Sequence, residues 1–146
     1  MFARTWMPVL ATFSVTFEHA AESDSDSVKQ CLEGFSMAIR VACEHYMETE
    51  REAFVLALSK FTILSQITDM QPKNIAAIHT MLAMAYQNRN GLAESWIHVL
   101  ACISRLVRLR IKLVWTGLDG PTAVLNNSHV LGQYITLFAF PRNDCS

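Results

Sequence analysis

The sequence is short of charge: 17% of its 146 residues are Asp, Glu, Lys or Arg, against about a quarter in an average soluble domain. The formal net charge is −1, which argues against a general nucleic-acid binder. No apolar run approaches the ~18 residues that cross a bilayer, and the N-terminus lacks the long apolar region of a secretory signal. We therefore expect a soluble chain whose apolar faces are either heavily buried or left exposed.

Motifs that mark catalysis or cofactor binding are also missing. There is no Gly-rich phosphate loop, no H-E-x-x-H and no G-x-S-x-G. The histidines are scattered without metal-ligand spacing, and His79, flanked by apolar residues, is more typical of a satisfied core or boundary histidine than of a ligand. The carboxylates of segment 44–52 are more typical of a solvated turn and helix start than of a catalytic pair. The sequence predicts no catalytic residue, no metal and no cofactor.

The four cysteines form no C-x-x-C pair, so neither a zinc site nor a redox site is indicated. Cys31 and Cys43 share one predicted helix and lie roughly 18 Å apart along it, which is beyond disulfide reach. Both fall on the apolar stripe of that helix. This placement predicts buried, reduced thiols and, weakly, a cytoplasmic location.

Five segments carry the i, i+3, i+4, i+7 apolar spacing of amphipathic helices, at about 2–19, 27–46, from 49, 73–87 and 92–110. "TERE" at 49–52 is interpreted as a capping box that opens the third helix, and Pro72 is placed where the fourth can begin. Gly34 indicates close helix contact, and the stripe of the second helix is expected to include Tyr46. The side chains predicted to form the repeat core are Trp6, Leu10, Phe13, Phe35, Ile39, Phe54, Leu58, Phe61, Ile78, Leu82, Trp96, Leu100 and Ile103.

A short echo links the odd-numbered helices. "WMPVLATFS" at 6–14 returns as "WIHVLACIS" at 96–104, and "VLA" occurs at 9–11, 55–57 and 99–101. A period of ~40–47 residues with two helices per unit is typical of HEAT or armadillo α-solenoids, in which stacked neighbours share a core. We predict an all-α fold, with about five solenoid helices over 1–110 and an irregular tail over 111–146. That tail either folds back over the open end or is poorly ordered.

The basic segment "RLVRLRIK" at 105–112 has the most functional interest. Its cations Arg105, Arg108, Arg110 and Lys112 are interleaved with apolar residues, a pattern that suits an anionic membrane or an acidic partner. The alternative is a helix C-terminus, where cations suit the dipole and cover apolar neighbours. The acidic stretch 18–26 is either a surface for a basic partner or a solvated loop.

Five ordered blocks of the sequence resemble one family. They are Met1–Ser14, Cys31–Cys43, Glu50–Leu64, Pro72–Ala85 and Asn88–Leu106. Together they resemble the large Arf guanine-nucleotide exchange factors of the brefeldin-A-inhibited class, in the helical region downstream of the catalytic Sec-seven domain. The resemblance is expected to end near Leu106.

The resemblance implies a HEAT-like regulatory scaffold that is cytoplasmic and peripheral to Golgi or endosomal membranes. The partners it implies are an Arf-family GTPase, neighbouring repeats of the parent protein and a peripheral membrane, but no nucleic acid. The matching blocks do not include the exchange domain, so this chain alone is not expected to be an enzyme. The alternatives are a purely structural solenoid fragment and, least favoured, an unrecognised enzyme. Because both ends of the array leave apolar surface uncovered, we expect the isolated chain to be marginally stable or to self-associate.

Overall fold

The structure is a computed structural model that describes residues 2–21, 24–62 and 71–115, with side chains as far as Arg108. These ranges hold helices and connecting turns, without a strand, so the predicted all-α class is confirmed. The elements are α1 (Phe2–His19), α2 (Ser25–Glu44), α3 (Glu48–Phe61), α4 (Pro72–Asn88), a 3₁₀ segment (Arg89–Ser95) and α5 (Trp96–Trp115).

The chain divides into two units, Met1–Arg110 and Ile111–Ser146. Of the second unit only the last part of α5 is described, and the rest of the tail, for which folding back or poor order was predicted, lies outside the described residues. The fifth helix was predicted to end at Arg110 but continues to Trp115. The physical reason is that no Gly or Pro interrupts the sequence before Gly117.

Two helix starts follow the sequence signals and a third does not. The Asp24 carboxylate accepts a hydrogen bond of 3.2 Å from the backbone N–H three residues on, which makes it the N-cap of α2. Pro72 begins α4, where its missing N–H has no intrahelical partner to lose. The capping box predicted at Thr49 is wrong, because α3 already begins at Glu48 and its N-cap, Met47, makes no side-chain hydrogen bond.

The centre of the fold is a cluster of phenylalanine rings. Phe35 of α2 is fully buried, and its ring centroid lies 5.6 Å from that of Phe13, 5.9 Å from that of Phe54 and 5.5 Å from that of Phe61. Phe17 stacks on Phe61 at 4.3 Å. Such pairs contribute about 0.5–1.5 kcal/mol each beyond their buried area. The cluster therefore joins α1, α2 and α3 through one ring.

The predicted core residues differ in burial. Seven of them are buried, namely Phe35, Ile39, Phe54, Leu58, Phe61, Ile78 and Leu82. Five are half-buried, namely Trp6, Leu10, Phe13, Trp96 and Ile103. The predicted burial of Leu100 is wrong: it is 58% exposed, because α5 turns its neighbours Val99 and Cys102 inward instead. Tyr46 is also wrongly placed by the sequence, since α2 ends at Glu44 and Tyr46 is 87% exposed.

Burial repeats along the chain at nearly constant spacing. Between α3 and α5, some positions 44 residues apart are buried in both helices, as with Val55 and Val99 or Leu58 and Cys102, whereas buried Phe61 corresponds to exposed Arg105. Between α2 and α4 the matching positions lie 46 residues apart. The buried pairs are Cys31 and Ala77, Leu32 and Ile78, Phe35 and Met81, Ala38 and Met84, and Ile39 and Ala85. Consecutive helix pairs therefore bury equivalent faces.

The first helix follows this repeat in a different register from the "VLA" echo. In α1 the inward positions are Leu10, Phe13 and Phe17, which lie 45 residues before Val55, Leu58 and Thr62. The echo pairs Val9 with Val55 instead, one residue out. A shift of one residue turns a helix by about 100°. The echo between 6–14 and 96–104 is thus a sequence likeness that the packing does not follow residue by residue.

The close helix contact expected at Gly34 is confirmed. A Cβ atom built on Gly34 would lie 2.5 Å from Cζ of Phe13 and 2.7 Å from its Cε2. The absent side chain therefore leaves room for the Phe13 ring, which brings α1 against α2.

A lysine completes the end of α1. Nζ of Lys73, at the start of α4, donates hydrogen bonds to the carbonyl oxygens of Phe17 (3.3 Å), Glu18 (3.1 Å) and Ala20 (3.2 Å). The last carbonyls of a helix have no intrahelical donor, and a cation there also suits the helix dipole. Lys73 thus joins α1 to α4 by a charged cap.

We expect Gly34→Ala to lower the free energy of unfolding by about 1 kcal/mol, because the clash with Phe13 outweighs the ~1 kcal/mol gain in helix propensity. In a Phe13→Ala background the same change should raise it by about 0.5–1 kcal/mol, since the clash is gone. Urea denaturation of the four proteins measures both effects. Equal effects of Gly34→Ala in the two backgrounds would contradict the assigned contact.

Replacing Lys73 by Met keeps most of the apolar stem and removes the cap. We expect a loss of about 1 kcal/mol in the free energy of unfolding, measured by urea denaturation. The matched control is Lys29→Met, an exposed lysine of α2, which should change stability by less than about 0.5 kcal/mol. An equal loss in both variants would mean that the three carbonyl contacts add nothing.

Candidate partner-binding surface

The outer face of α5 is apolar and exposed. Ile97 is 67% exposed, Leu100 58% and Val107 41%, whereas Val99 and Cys102 on the opposite face are buried. Residues three and seven apart lie on one side of a helix. These three side chains therefore lie on one exposed side of α5, which we call the α5 stripe. A stripe of large apolar side chains on a helix is typical of a surface that another element covers.

Two of the predicted cations border this stripe. Arg105 and Arg108 are exposed, and helical periodicity places both on the Ile97 side of the α5 stripe. Within the described residues neither makes an ion pair, since the one ion pair found there joins Arg40 to Glu44. The backbone of the other two candidates, Arg110 and Lys112, belongs to α5, but their side chains lie outside the described residues.

The opposite border of the α5 stripe is apolar. Trp96 and Ile103 lie there by the same periodicity, and both are half-buried. The Trp96 indole Nε1 donates a 2.9 Å hydrogen bond to the backbone oxygen of Arg89, which fixes the 3₁₀ segment against the start of α5. Ala93 in that segment has φ 43°, so the chain reverses sharply just before α5 begins. Among the described side chains, one border of the stripe is therefore cationic and the other apolar, and by helical position Arg110, seven residues after Ile103, belongs to the second border.

A second candidate region is a cleft of about 500 Å³ between α2 and α4. Val28, Leu32 and Ala76 give it an apolar floor, and Glu33 and His79 also line it. His79 is half-buried, and its Nε2 is buried without a hydrogen-bond partner within the described part of the chain. The prediction for His79 is therefore only half correct. The residue does lie at the boundary of the core, but its Nε2 makes no hydrogen bond within the described part of the chain.

One buried charge was missed by the sequence reading. Arg51 of α3 is 6% exposed, and its Nε has no hydrogen-bond partner among the described residues. Burial raises the pKa of the Cys43 thiol, and the positive charge of nearby Arg51 offsets part of that rise. No sequence signal marks this burial, because Arg51 stands between Glu50 and Glu52, a pattern typical of a solvated face of paired charges.

The described cysteines are buried and unbridged. Burial raises the pKa of the thiols of Cys31, Cys43 and Cys102 above the usual 9.0. A side-chain hydrogen bond with Thr16 partly offsets this for Cys31, and one with Thr62 does so for Cys102. The three thiols are therefore protonated at neutral pH and poorly nucleophilic.

The described ranges lack two other kinds of feature. No group of three or more His, Cys, Asp or Glu side chains is placed to hold a metal ion in these ranges. None of the helices described combines the length and apolarity that crossing a bilayer requires. The α5 stripe, together with Arg105 and Arg108, is therefore the candidate binding surface.

Comparison with known proteins identifies relatives for most of the chain. Brefeldin A-inhibited guanine nucleotide-exchange protein 1 of Rattus norvegicus is 44% identical over 109 residues, and the Homo sapiens protein of the same name is 43% identical over 109 residues. Each match covers 73% of this chain and 6% of the relative. The chain is homologous to a segment of the brefeldin A-inhibited guanine nucleotide-exchange proteins. The family resemblance drawn from the five sequence blocks is thus confirmed.

The extent of the homology corrects one expectation about this exchange-protein segment. Brefeldin A-inhibited guanine nucleotide-exchange protein 3 of Arabidopsis thaliana is 35% identical over 143 residues, which cover 95% of this chain and 7% of the relative. A match of that length cannot stop near Leu106, so the resemblance continues into the C-terminal part. No family model matches the chain, and no solved structure matches it.

The raised thiol pKa values predict alkaline destabilisation of the exchange-protein segment. The folded state holds its thiol protons more tightly than the unfolded chain, so this contribution is complete below pH 9 and is lost as the pH rises through the folded pKa values. We expect the free energy of unfolding to fall above pH 9, and Cys102→Ala to make that fall shallower. Denaturation at several pH values measures the slope, and an unchanged slope in the variant would contradict the assignment.

Proposed function

We propose that this chain is a non-catalytic regulatory and scaffold segment of an Arf guanine-nucleotide exchange factor that acts in Golgi or endosomal vesicle traffic. It helps to recruit the parent protein to membranes and controls the exchange domain through protein–protein contacts. The observation that carries the proposal is the homology to proteins named for guanine nucleotide exchange, over only 6–7% of their length. Exchange itself belongs to another part of such a protein.

The helical packing supports a scaffold role. Equivalent faces are buried in α2 and α4, and again in α3 and α5, which is the pattern of stacked helix pairs. We therefore propose a HEAT-like solenoid over residues 1–110. In such an array each pair completes the core of its neighbour, and outer faces remain free to bind partners.

The exposed face of α5 supports a binding role. Arg105 and Arg108 extend into solvent beside the α5 stripe, and Arg110 and Lys112 follow on the same helix. We propose this face as the contact for an Arf-family GTPase or a neighbouring part of the parent protein, with a peripheral membrane contact as a further possibility of the same chemistry. Exposed cations beside apolar side chains favour an acidic partner surface.

A second candidate function is a purely structural segment without a binding surface of its own. Exposed apolar residues on α1 favour it, since Met7 is 64% and Val15 54% exposed. Apolar surface on both the first and the last described helix is what a stack would show where further helices adjoin it. The two functions differ in whether the charges on α5 affect binding.

The charge-reversal variant Arg105→Glu/Arg108→Glu tests the binding role. With the 146-residue chain immobilised, we expect capture of an Arf GTPase loaded with a non-hydrolysable GTP analogue to fall about tenfold, because two attractive contacts become repulsive. Arg40→Glu on α2 is the matched control and should bind normally.

The same two variants are compared on vesicles of neutral and of anionic lipid, which measures any membrane contact separately. If GTPase capture and vesicle binding are both unchanged by the double reversal, the binding role is wrong and the structural role stands.

A further inference from the structure

We infer that Asn90 cyclises with the backbone nitrogen of Gly91 and is converted to isoaspartate, which releases the 3₁₀ segment from α2. The pair Asn90–Gly91 lies inside that segment, just after the end of α4. Asparagine is one of the thermolabile residues of proteins, and a following glycine has no side chain to hinder attack by its backbone nitrogen. The reaction is intrinsic to this chain and does not depend on the binding role proposed for α5.

The covalent step needs only the chain and water. The Gly91 backbone nitrogen attacks Cγ of Asn90, a bond forms between these two atoms, and the bond from Cγ to Nδ2 breaks. The proton of the Gly91 nitrogen leaves with Nδ2 as ammonia, and a five-membered succinimide remains. Water then opens the ring at one of its two carbonyl carbons, which gives either aspartate or isoaspartate. Nothing is oxidised or reduced, and the net change is one water taken up and one ammonia lost.

The side chain of Asn90 is available for this reaction, whereas those of the other described asparagines are held. Asn90 is exposed, and its amide makes no hydrogen bond within the described ranges. Nδ2 of Asn74 donates a 2.8 Å hydrogen bond to the carbonyl oxygen of Phe61, and Nδ2 of Asn88 donates one of 2.8 Å to that of Met84. Neither of these two asparagines precedes a glycine.

The backbone on both sides of Asn90 is irregular. Arg89 has φ 37° and Ala93 has φ 43°, both in the left-handed region that residues other than glycine rarely adopt. The hydrogen bonds of a 3₁₀ helix also have poorer geometry than those of an α-helix. Such a segment opens locally more readily than the body of a helix. Local opening gives the Gly91 nitrogen the freedom that ring closure requires.

Isoaspartate would act on a close contact between the 3₁₀ segment and α2. A Cβ atom built on Gly91 would lie 3.1 Å from Cβ of Cys43 and 3.6 Å from its Sγ, so the Gly91 backbone packs directly on that side chain. Isoaspartate routes the main chain through the former side chain and lengthens it by one carbon just before Gly91. A close-packed interior does not take up an extra atom without rearrangement. Gly91 therefore moves away from Cys43, which is 8% exposed in the structure, and the thiol becomes accessible.

The same segment anchors the start of α5. Leu92 is fully buried and Ser95 is 2% exposed, and the indole of Trp96 donates its hydrogen bond to the backbone oxygen of Arg89. Moving Gly91 disturbs the chain between these anchors. Conversion at Asn90 therefore weakens the attachment of α5 to the helices before it.

Ageing of the 146-residue chain in reducing buffer at physiological pH and temperature tests the reaction. Peptide mapping by mass spectrometry locates deamidation, and methylation by an isoaspartyl methyltransferase with labelled S-adenosylmethionine detects isoaspartate. We expect Asn90 to convert at least tenfold faster than Asn74 or Asn88. Equal rates at the three positions, or aspartate as the sole product at Asn90, would overturn the inference.

The decisive variant is Asn90→Gln, which keeps an uncharged amide but would have to close a six-membered ring, a much slower reaction. Asn88→Gln leaves the reactive pair in place and is the matched control. Iodoacetamide labelling followed by peptide mapping measures the reactivity of Cys43. We expect ageing to raise the labelling rate of Cys43 at least fivefold in the unsubstituted chain and in Asn88→Gln, but not in Asn90→Gln. Cys31, roughly 18 Å away along α2, is the internal reference and should label equally before and after ageing.

Two results would overturn the release of the 3₁₀ segment. One is isoaspartate at Asn90 without a change in Cys43 labelling. The other is an equal rise of Cys43 labelling in aged Asn90→Gln, since the fold would then open by another route. Circular dichroism checks that each variant folds before ageing. The comparison of Asn90→Gln, at an exposed position, with the unsubstituted chain carries the test if Asn88→Gln does not fold.

Discussion

The fold depends on the burial of one aromatic ring at the meeting point of three helices. Phe35 is fully buried, and its ring lies against the ring of Phe13 in α1 and the rings of Phe54 and Phe61 in α3. Because Gly34 precedes it, α1 can come close enough for Phe13 to reach this ring. Two further ring pairs join α1 to α3, Phe17 stacked on Phe61 and Phe2 stacked on Phe54.

Sequence periodicity located the helices well because it reports which side of each helix is apolar. Both ends of α1 agree with the prediction. Asp24 caps α2, Pro72 begins α4, and Gly34 lies where α1 comes close to α2. Periodicity could not decide how far each stripe is covered. Leu100 is as apolar as a core residue, and only the direction in which α5 packs leaves it exposed. The sequence similarity between 6–14 in α1 and 96–104 in α5 is limited in the same way, because it does not determine which side of either helix faces the core.

The candidate surface was only half visible from the sequence. The basic segment 105–112 indicates α5 and includes Val107, but no sequence signal marks Ile97, and the pattern predicts Leu100 as a core residue although it is exposed. Arg51 and Lys73 show the opposite case. Each is an ordinary charged residue in the sequence, and only tertiary packing makes one a buried guanidinium whose Nε lacks a hydrogen-bond partner among the described residues and the other a helix cap.

Lys73 also has a consequence for the order in which the chain folds. The carbonyl oxygens at the end of α1 and at Ala20 accept hydrogen bonds from Lys73, which lies more than fifty residues further along the chain. Contacts between residues far apart in the chain form late, because closing the intervening loop costs conformational entropy that is offset only once the contact has formed. The end of the first helix therefore reaches its final state only after the fourth helix has docked. In a growing chain, the carbonyl oxygens of Phe17, Glu18 and Ala20 depend on water for hydrogen bonds until Lys73 has been synthesised and α4 has docked.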